Sequence, residues 1–159
     1  IIVWRLKKLE DVIGMTVVDP IRDKRGWVFA DRMDPISGFE YLSQAYVATD
    51  PDYEARVTVP VFWDSKTRQI VSTCDDDIMR MLNSQFDDFT DSKLDLYPVE
   101  LRTEIDEVND LIYSNVNDGV YRSGFATTQK AYEEAVQKLF KTFDLLEIRL
   151  SGHRYLIGN

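Results

Sequence analysis

Apolar and polar positions change their spacing several times along the chain, and each change predicts an element. Ile1, Ile2, Leu6 and Leu9 recur at helical spacing with Arg5, Lys7 and Lys8 between them, which predicts a first helix running to about Glu10. No Ser, Thr, Asp or Asn precedes this face as a cap, so the helix is expected to begin upstream of residue 1. Residues 12–18, VIGMTVV, are rich in β-branched side chains and predict a buried strand. Residues 19–50 lose this periodicity and gain charge, Gly and Pro, which predicts a long loop with at most a short helix near residues 41–46. The apolar run 57–63 predicts an interior strand, Asp64 and Ser65 a turn, and residues 69–71 a short antiparallel return. Thr73 is then placed to cap a helix with Asp75, Asp76 and Asp77 in its first turn and Ile78, Met81 and Leu82 on its buried stripe.

The pattern turns entirely helical in the second half. The acidic, interrupted stretch 87–98 reads as a linker. Leu101, Ile105, Val108, Ile112 and Val116 step by three or four, predicting an amphipathic helix that Gly119 closes in a left-handed conformation. A polar and aromatic corner, residues 120–127, leads to a second long helix from about Gln129 to Leu150. Its apolar face holds Tyr132, Val136, Leu139, Phe140, Phe143, Leu146 and Leu150. Gly158 is read as a turn, with Asn159 as the cap of a further helix. The expected organisation is an α/β domain over residues 1–90 and an all-α domain over 91–159.

Composition narrows the function classes. With 44% hydrophobic residues the chain can bury a core, and its net charge of −9 repels phosphate backbones and anionic lipid, so neither nucleic acid nor membrane is an expected partner. One cysteine, Cys74, and one histidine, His153, supply neither a disulfide framework nor a Cys/His zinc motif. No apolar run reaches the roughly 18 residues of a membrane span, and the expected compartment is the cytoplasm.

Pro60 sits inside the apolar run 57–63, where a central strand would need its missing N–H. A cis Val59–Pro60 bond at the start of the strand would turn the main-chain groups of Val59 outward, beside a helix N-terminus. That arrangement suits a small thiol peptide, with backbone pairing for its cysteine portion and helix N–H groups for a carboxylate. An edge-strand proline without a ligand is the alternative.

The segments LKKLEDVIGMTVVDP, GWVF, RVTVPVFWD and IVSTCDDDIMRMLN, followed by NDGVYRSGFATTQKAYE and RYLIGN, resemble the glutathionyl-hydroquinone reductases, the Xi class of omega-like glutathione transferases. The resemblance covers essentially the whole chain. It implies a thioredoxin-like domain followed by the all-α glutathione-transferase C-terminal domain, both partial, and a homodimer that uses glutathione without a metal. It further implies reduction of S-glutathionyl-hydroquinones to hydroquinones with release of glutathione disulfide. By position, Trp27 matches the tryptophan that packs on glutathione. Arg56 matches an arginine that can meet a carboxylate, and Val59 the residue whose backbone pairs with the thiol peptide. Tyr121 matches a tyrosine of the hydroquinone site that gives or takes a proton.

Three departures accompany the match. The family nucleophile lies in a Cys-Pro-Trp-Ala-His-Arg segment upstream of Ile1. Cys74 and Asp75 stand where the family has Glu-Ser to hold the glutamyl end of glutathione, and further substrate-site helices follow the matched region. Cys74 at a helix start is a rival nucleophile, although the three following aspartates set negative charge where a thiolate would form. Two other function classes stay open: a non-catalytic thioredoxin-like interaction protein and a conventional glutathione transferase.

Overall fold

A computed structural model describes residues 1–158, and its chain contacts divide it into two compact units, one from Ile1 to Leu96 and one from Tyr97 onward. The expected capping role of Asn159 lies outside the described residues.

In the first unit, helix α1 spans Ile2–Leu6 and stops short of the predicted Glu10. Lys8 takes a left-handed conformation, φ 55°, and the chain folds back so that the N–H of Leu9 donates to Trp4 O at 3.0 Å and that of Ile13 to Leu9 O at 2.8 Å. The reversal sinks Leu9 and Lys7 into the interior, at 0% and 1% exposure. The strand predicted at 12–18 does not form. Val12, Met15 and Val17 are exposed, and only Val18 pairs, through an isolated bridge to Phe29. Among the described residues no second strand runs alongside this segment to satisfy its backbone, so its β-branched composition finds no ladder.

Residues 19–50 form the expected long loop, organised by the additional bridges Asp23–Gly26 and Val28–Tyr41 and ending in helix α2, Ser43–Thr49. Two antiparallel strands follow, β1 (Phe62–Asp64) and β2 (Gln69–Ser72), with Trp63 opposite Ile70 and a register irregularity at Phe62/Trp63. The return strand is where the sequence puts it, but the first strand begins at Phe62 instead of Val57. The turn between them is held by Asp64, whose carboxylate accepts from the N–H groups of Lys66 and Thr67 and from the Thr67 hydroxyl. These bonds, led by that hydroxyl, hold the Asp64 carboxyl below its usual range. The core lies between loop, α2 and hairpin: Phe29, Leu42, Ala45 and Tyr46, with Trp27, Val57, Val61, Trp63 and Ile70 packed on it.

Helix α3, Asp75–Ser84, buries Leu82 and half-buries Ile78 and Met81. Cys74 rather than Thr73 occupies its N-cap: it is extended, φ −88° and ψ 124°, and its carbonyl accepts the first helical bond from Ile78 N at 3.0 Å. Residues 87–95 are not a free linker. The Thr90 hydroxyl donates to Lys7 O at 2.7 Å, Ser92 to Leu6 O at 3.2 Å, and the buried Lys7 ammonium reaches Leu94 O and the Asp87 carboxylate at 2.7 Å each. The polar composition that suggests a linker is the polar half of a clasp around the end of α1.

The second unit contains α4 (Arg102–Ile112), α5 (Asp118–Gly124) and α6 (Gln129–Gly152), with a π-helical turn over Tyr113–Asn117 between the first two. Gly119 does not close a helix. It is buried inside α5, facing α6, where an added Cβ would stand 3.7 Å from Leu139 Cδ1, an ordinary contact distance. The Thr128 hydroxyl caps α6 by accepting from Ala131 N. On α6 only Leu139 of the predicted apolar face is buried; Tyr132, Phe140, Phe143 and Leu150 are exposed. A seven-residue α5 covers only part of one side of a 24-residue helix.

Candidate functional site

The loop carrying Trp27 is built by local hydrogen bonding. Asp19 accepts from Ile21 N at 2.8 Å, and Asp23 and Gly26 exchange backbone bonds at 3.1 Å. Gly26 has φ +112°, a conformation that a side chain resists. The turn delivers Trp27, half-buried, whose carbonyl accepts from Leu42 N at 3.0 Å. The Arg22 guanidinium lies over the Trp27 ring, 5.1 Å from its centroid.

Behind this loop a polar knot fixes its shape. The buried Tyr41 hydroxyl donates to Asp23 Oδ2 at 2.9 Å and accepts from Arg25, whose guanidinium also covers the Tyr41 ring at 4.0 Å. Arg32 pairs with Glu40 at 2.8 Å. Burial first, and the bond to Asp23 second, push the Tyr41 phenol above its ordinary pKa. The Arg25 N–H and then the Tyr41 hydroxyl hold Asp23 below its own.

The segment before β1 is displayed differently. The Val59–Pro60 peptide is cis, as the misplaced proline suggests, and Val59 is 47% exposed. Arg56 is exposed, and its carbonyl accepts from the Tyr53 hydroxyl at 2.8 Å. Val57 and Val61, on either side of Val59, pack on the same cluster as Trp27, which places the loop and this segment around one core. Tyr46, which sequence reasoning passes over, anchors the segment. Its hydroxyl donates to Thr58 O at 2.9 Å and accepts from Thr58 N at 3.3 Å, so both main-chain polar groups of the residue before Val59 are held from beneath. Its place on a short helix beside a long loop gives no spacing signal for this role.

Beyond β2, Cys74 is exposed at the start of α3, its N–H donating to Ser72 Oγ at 3.1 Å, and Asp75 follows in the first helical turn. Tyr121 belongs to the second unit, on α5. It is 64% exposed, with its ring stacked on Phe125 at 6.3 Å. Among the described residues no group of three or more His, Cys, Asp or Glu is arranged to hold a metal, and no helix is long and apolar enough to cross a membrane.

No protein-family model matches the chain. Whole relatives do. The glutathionyl-hydroquinone reductase PcpF of Sphingobium chlorophenolicum is 45% identical over 100% of this chain and 52% of its own length. YqjG of Escherichia coli, also named a glutathionyl-hydroquinone reductase, is 46% identical over 100% of this chain and 50% of its own. The crystal structure of the glutathione transferase Xi from Phanerochaete chrysosporium superposes with TM-score 0.95 at 48% identity, covering 99% of this chain and 56% of that one. The chain belongs to the Xi-class glutathione transferases. It has the mixed α/β region followed by helices that marks their fold, and it spans about half the length of the curated relatives it matches. The candidate site residues singled out from the sequence divide between the units: Trp27, Arg56, Val59, Cys74 and Asp75 in the first, Tyr121 in the second.

Proposed function

We propose that the full-length protein reduces S-glutathionyl-hydroquinones to hydroquinones, consuming a second glutathione and releasing glutathione disulfide. The observation that carries this is identity of 45% and 46%, along the whole chain, with two glutathionyl-hydroquinone reductases. Trp27 packs against glutathione, the Val59 backbone pairs with its cysteinyl portion, and Arg56 meets a carboxylate. The start of α3 at Cys74 and Asp75 receives the γ-glutamyl end, with Asp75 facing the amine. A cysteine thiolate attacks the glutathionyl sulfur; the carbon–sulfur bond breaks, and the ring carbon takes the electron pair and a proton delivered by Tyr121. The second glutathione resolves the mixed disulfide. In the resemblance that thiolate comes from the Cys-Pro-Trp-Ala-His-Arg segment and not from Cys74. The same assignment makes the protein a cytoplasmic homodimer.

Turnover of a glutathionyl-hydroquinone by full-length protein, followed by chromatography of hydroquinone and glutathione disulfide, tests this. Tyr121→Phe should lower kcat on the order of a hundredfold, the lower end of what a positioned proton donor supplies. No turnover, or turnover indifferent to that substitution, rejects the assignment. One observation favours a second reading, a scaffold that has lost its ligand: three consecutive carboxylates at the start of α3 repel an anionic ligand. Calorimetry with glutathione separates the two, since only the reductase binds it.

A further inference from the structure

We propose that Arg22 recognises the glycyl carboxylate of glutathione beside Trp27. This rests on the glutathione site proposed above and adds a residue to it. Three arginines lie in or beside the Trp27 loop, and two are committed within the fold: Arg25 to Glu40 and the Tyr41 hydroxyl, Arg32 to Glu40. Arg22 is exposed and contacts the Trp27 ring, and among the described residues no carboxylate pairs with it. Stacking on an indole face leaves the N–H edges of a guanidinium pointing outward, where they can grip a carboxylate with two parallel bonds. The backbone on either side of Arg22 is fixed by the Asp19–Ile21 bond and the Asp23–Gly26 turn, which reduces the ordering that binding must supply.

Charge supplies the need for such a group. Glutathione carries two carboxylates against one ammonium, and this chain carries −9 with Asp75, Asp76 and Asp77 at the start of α3. With the γ-glutamyl end at α3, its carboxylate being the one that Arg56 meets, and the cysteinyl portion at Val59, the glycyl carboxylate is the ionised end left for the Trp27 side. An uncommitted cation there offsets the acidic surroundings and distinguishes the tripeptide from neutral thiols.

Calorimetry on the full-length protein decides the matter, using glutathione and its glycyl monoethyl ester with the unsubstituted protein, Arg22→Ala and Arg22→Lys. The unsubstituted protein should bind glutathione about fivefold more tightly than the ester, the scale of one solvent-exposed ion pair. Arg22→Ala should weaken glutathione by that same factor and leave the ester unchanged, while Arg22→Lys retains part of the preference. A merely structural role would weaken both ligands together. Glutathione affinity untouched in Arg22→Ala, or undiminished discrimination against the ester, overturns the role of Arg22 while leaving the glutathione site standing. Failure of the unsubstituted protein to bind glutathione overturns both.

Discussion

Gly119→Ala asks directly whether this glycine ends a helix or lies within one. In a left-handed closing position, the added methyl would cost roughly 1 kcal/mol or more. The structure instead puts Gly119 within α5, buried and without a positive φ, with room for a Cβ at 3.7 Å and 3.8 Å from two Leu139 atoms, ordinary contact distances. Replacing an interior helical glycine by alanine then gains about 1 kcal/mol from backbone propensity. Burying one methyl against Leu139 adds up to about 0.8 kcal/mol. For an unfolding slope near 2 kcal/mol/M, the gain corresponds to a urea midpoint higher by about 0.5 to 0.9 M. Circular dichroism at the helical minimum measures the midpoint, and slower amide exchange within residues 118–124 should localise the effect. A lower midpoint, or faster exchange in α5, would refute the packing described for Gly119.

Other perturbations test the first unit. Lys7→Met keeps the buried stem but strands the Leu94 carbonyl and releases Asp87; loss of about 1–3 kcal/mol is expected, read by tryptophan fluorescence in urea, because Trp4 lies on the helix that Lys7 ends. Asp34 is 4% exposed and its carboxyl lies below the ordinary value of 3.8: burial alone would raise it, but hydrogen bonds to the carboxylate, led by the Ser37 hydroxyl and N–H, together outweigh burial. A depressed carboxyl stabilises the fold fully above its unfolded pKa, and that contribution disappears as pH falls through the lower folded value. Stability should therefore drop below about pH 4, and Asp34→Asn should flatten that part of the pH profile, as measured by denaturation between pH 2 and 6.

Element types were mostly legible from spacing alone, as the return strand, the aspartate-led helix and the Thr128-capped helix show. Some limits were not: α1 stops at Leu6 and the first strand begins only at Phe62. Residues 12–18 have the composition of a strand, but composition does not supply a neighbouring ladder. Gly119 has the chemistry of a stop signal, but whether a glycine ends a helix or continues one depends on the backbone conformation that the packed helices impose.

The amphipathic periods, the acidic balance, the odd placement of Pro60 and the segments shared with the Xi class are properties of residue order, so the sequence by itself determined the fold class and the family. The clasp of Lys7 on residues 87–94, the hold of Tyr46 on Thr58 and the commitment of Arg25 and Arg32, but not Arg22, were decided only by tertiary structure. Each joins residues that no local spacing relates. Burial and hydrogen-bond satisfaction are shared among distant segments, and they settle only when the chain has closed around its core.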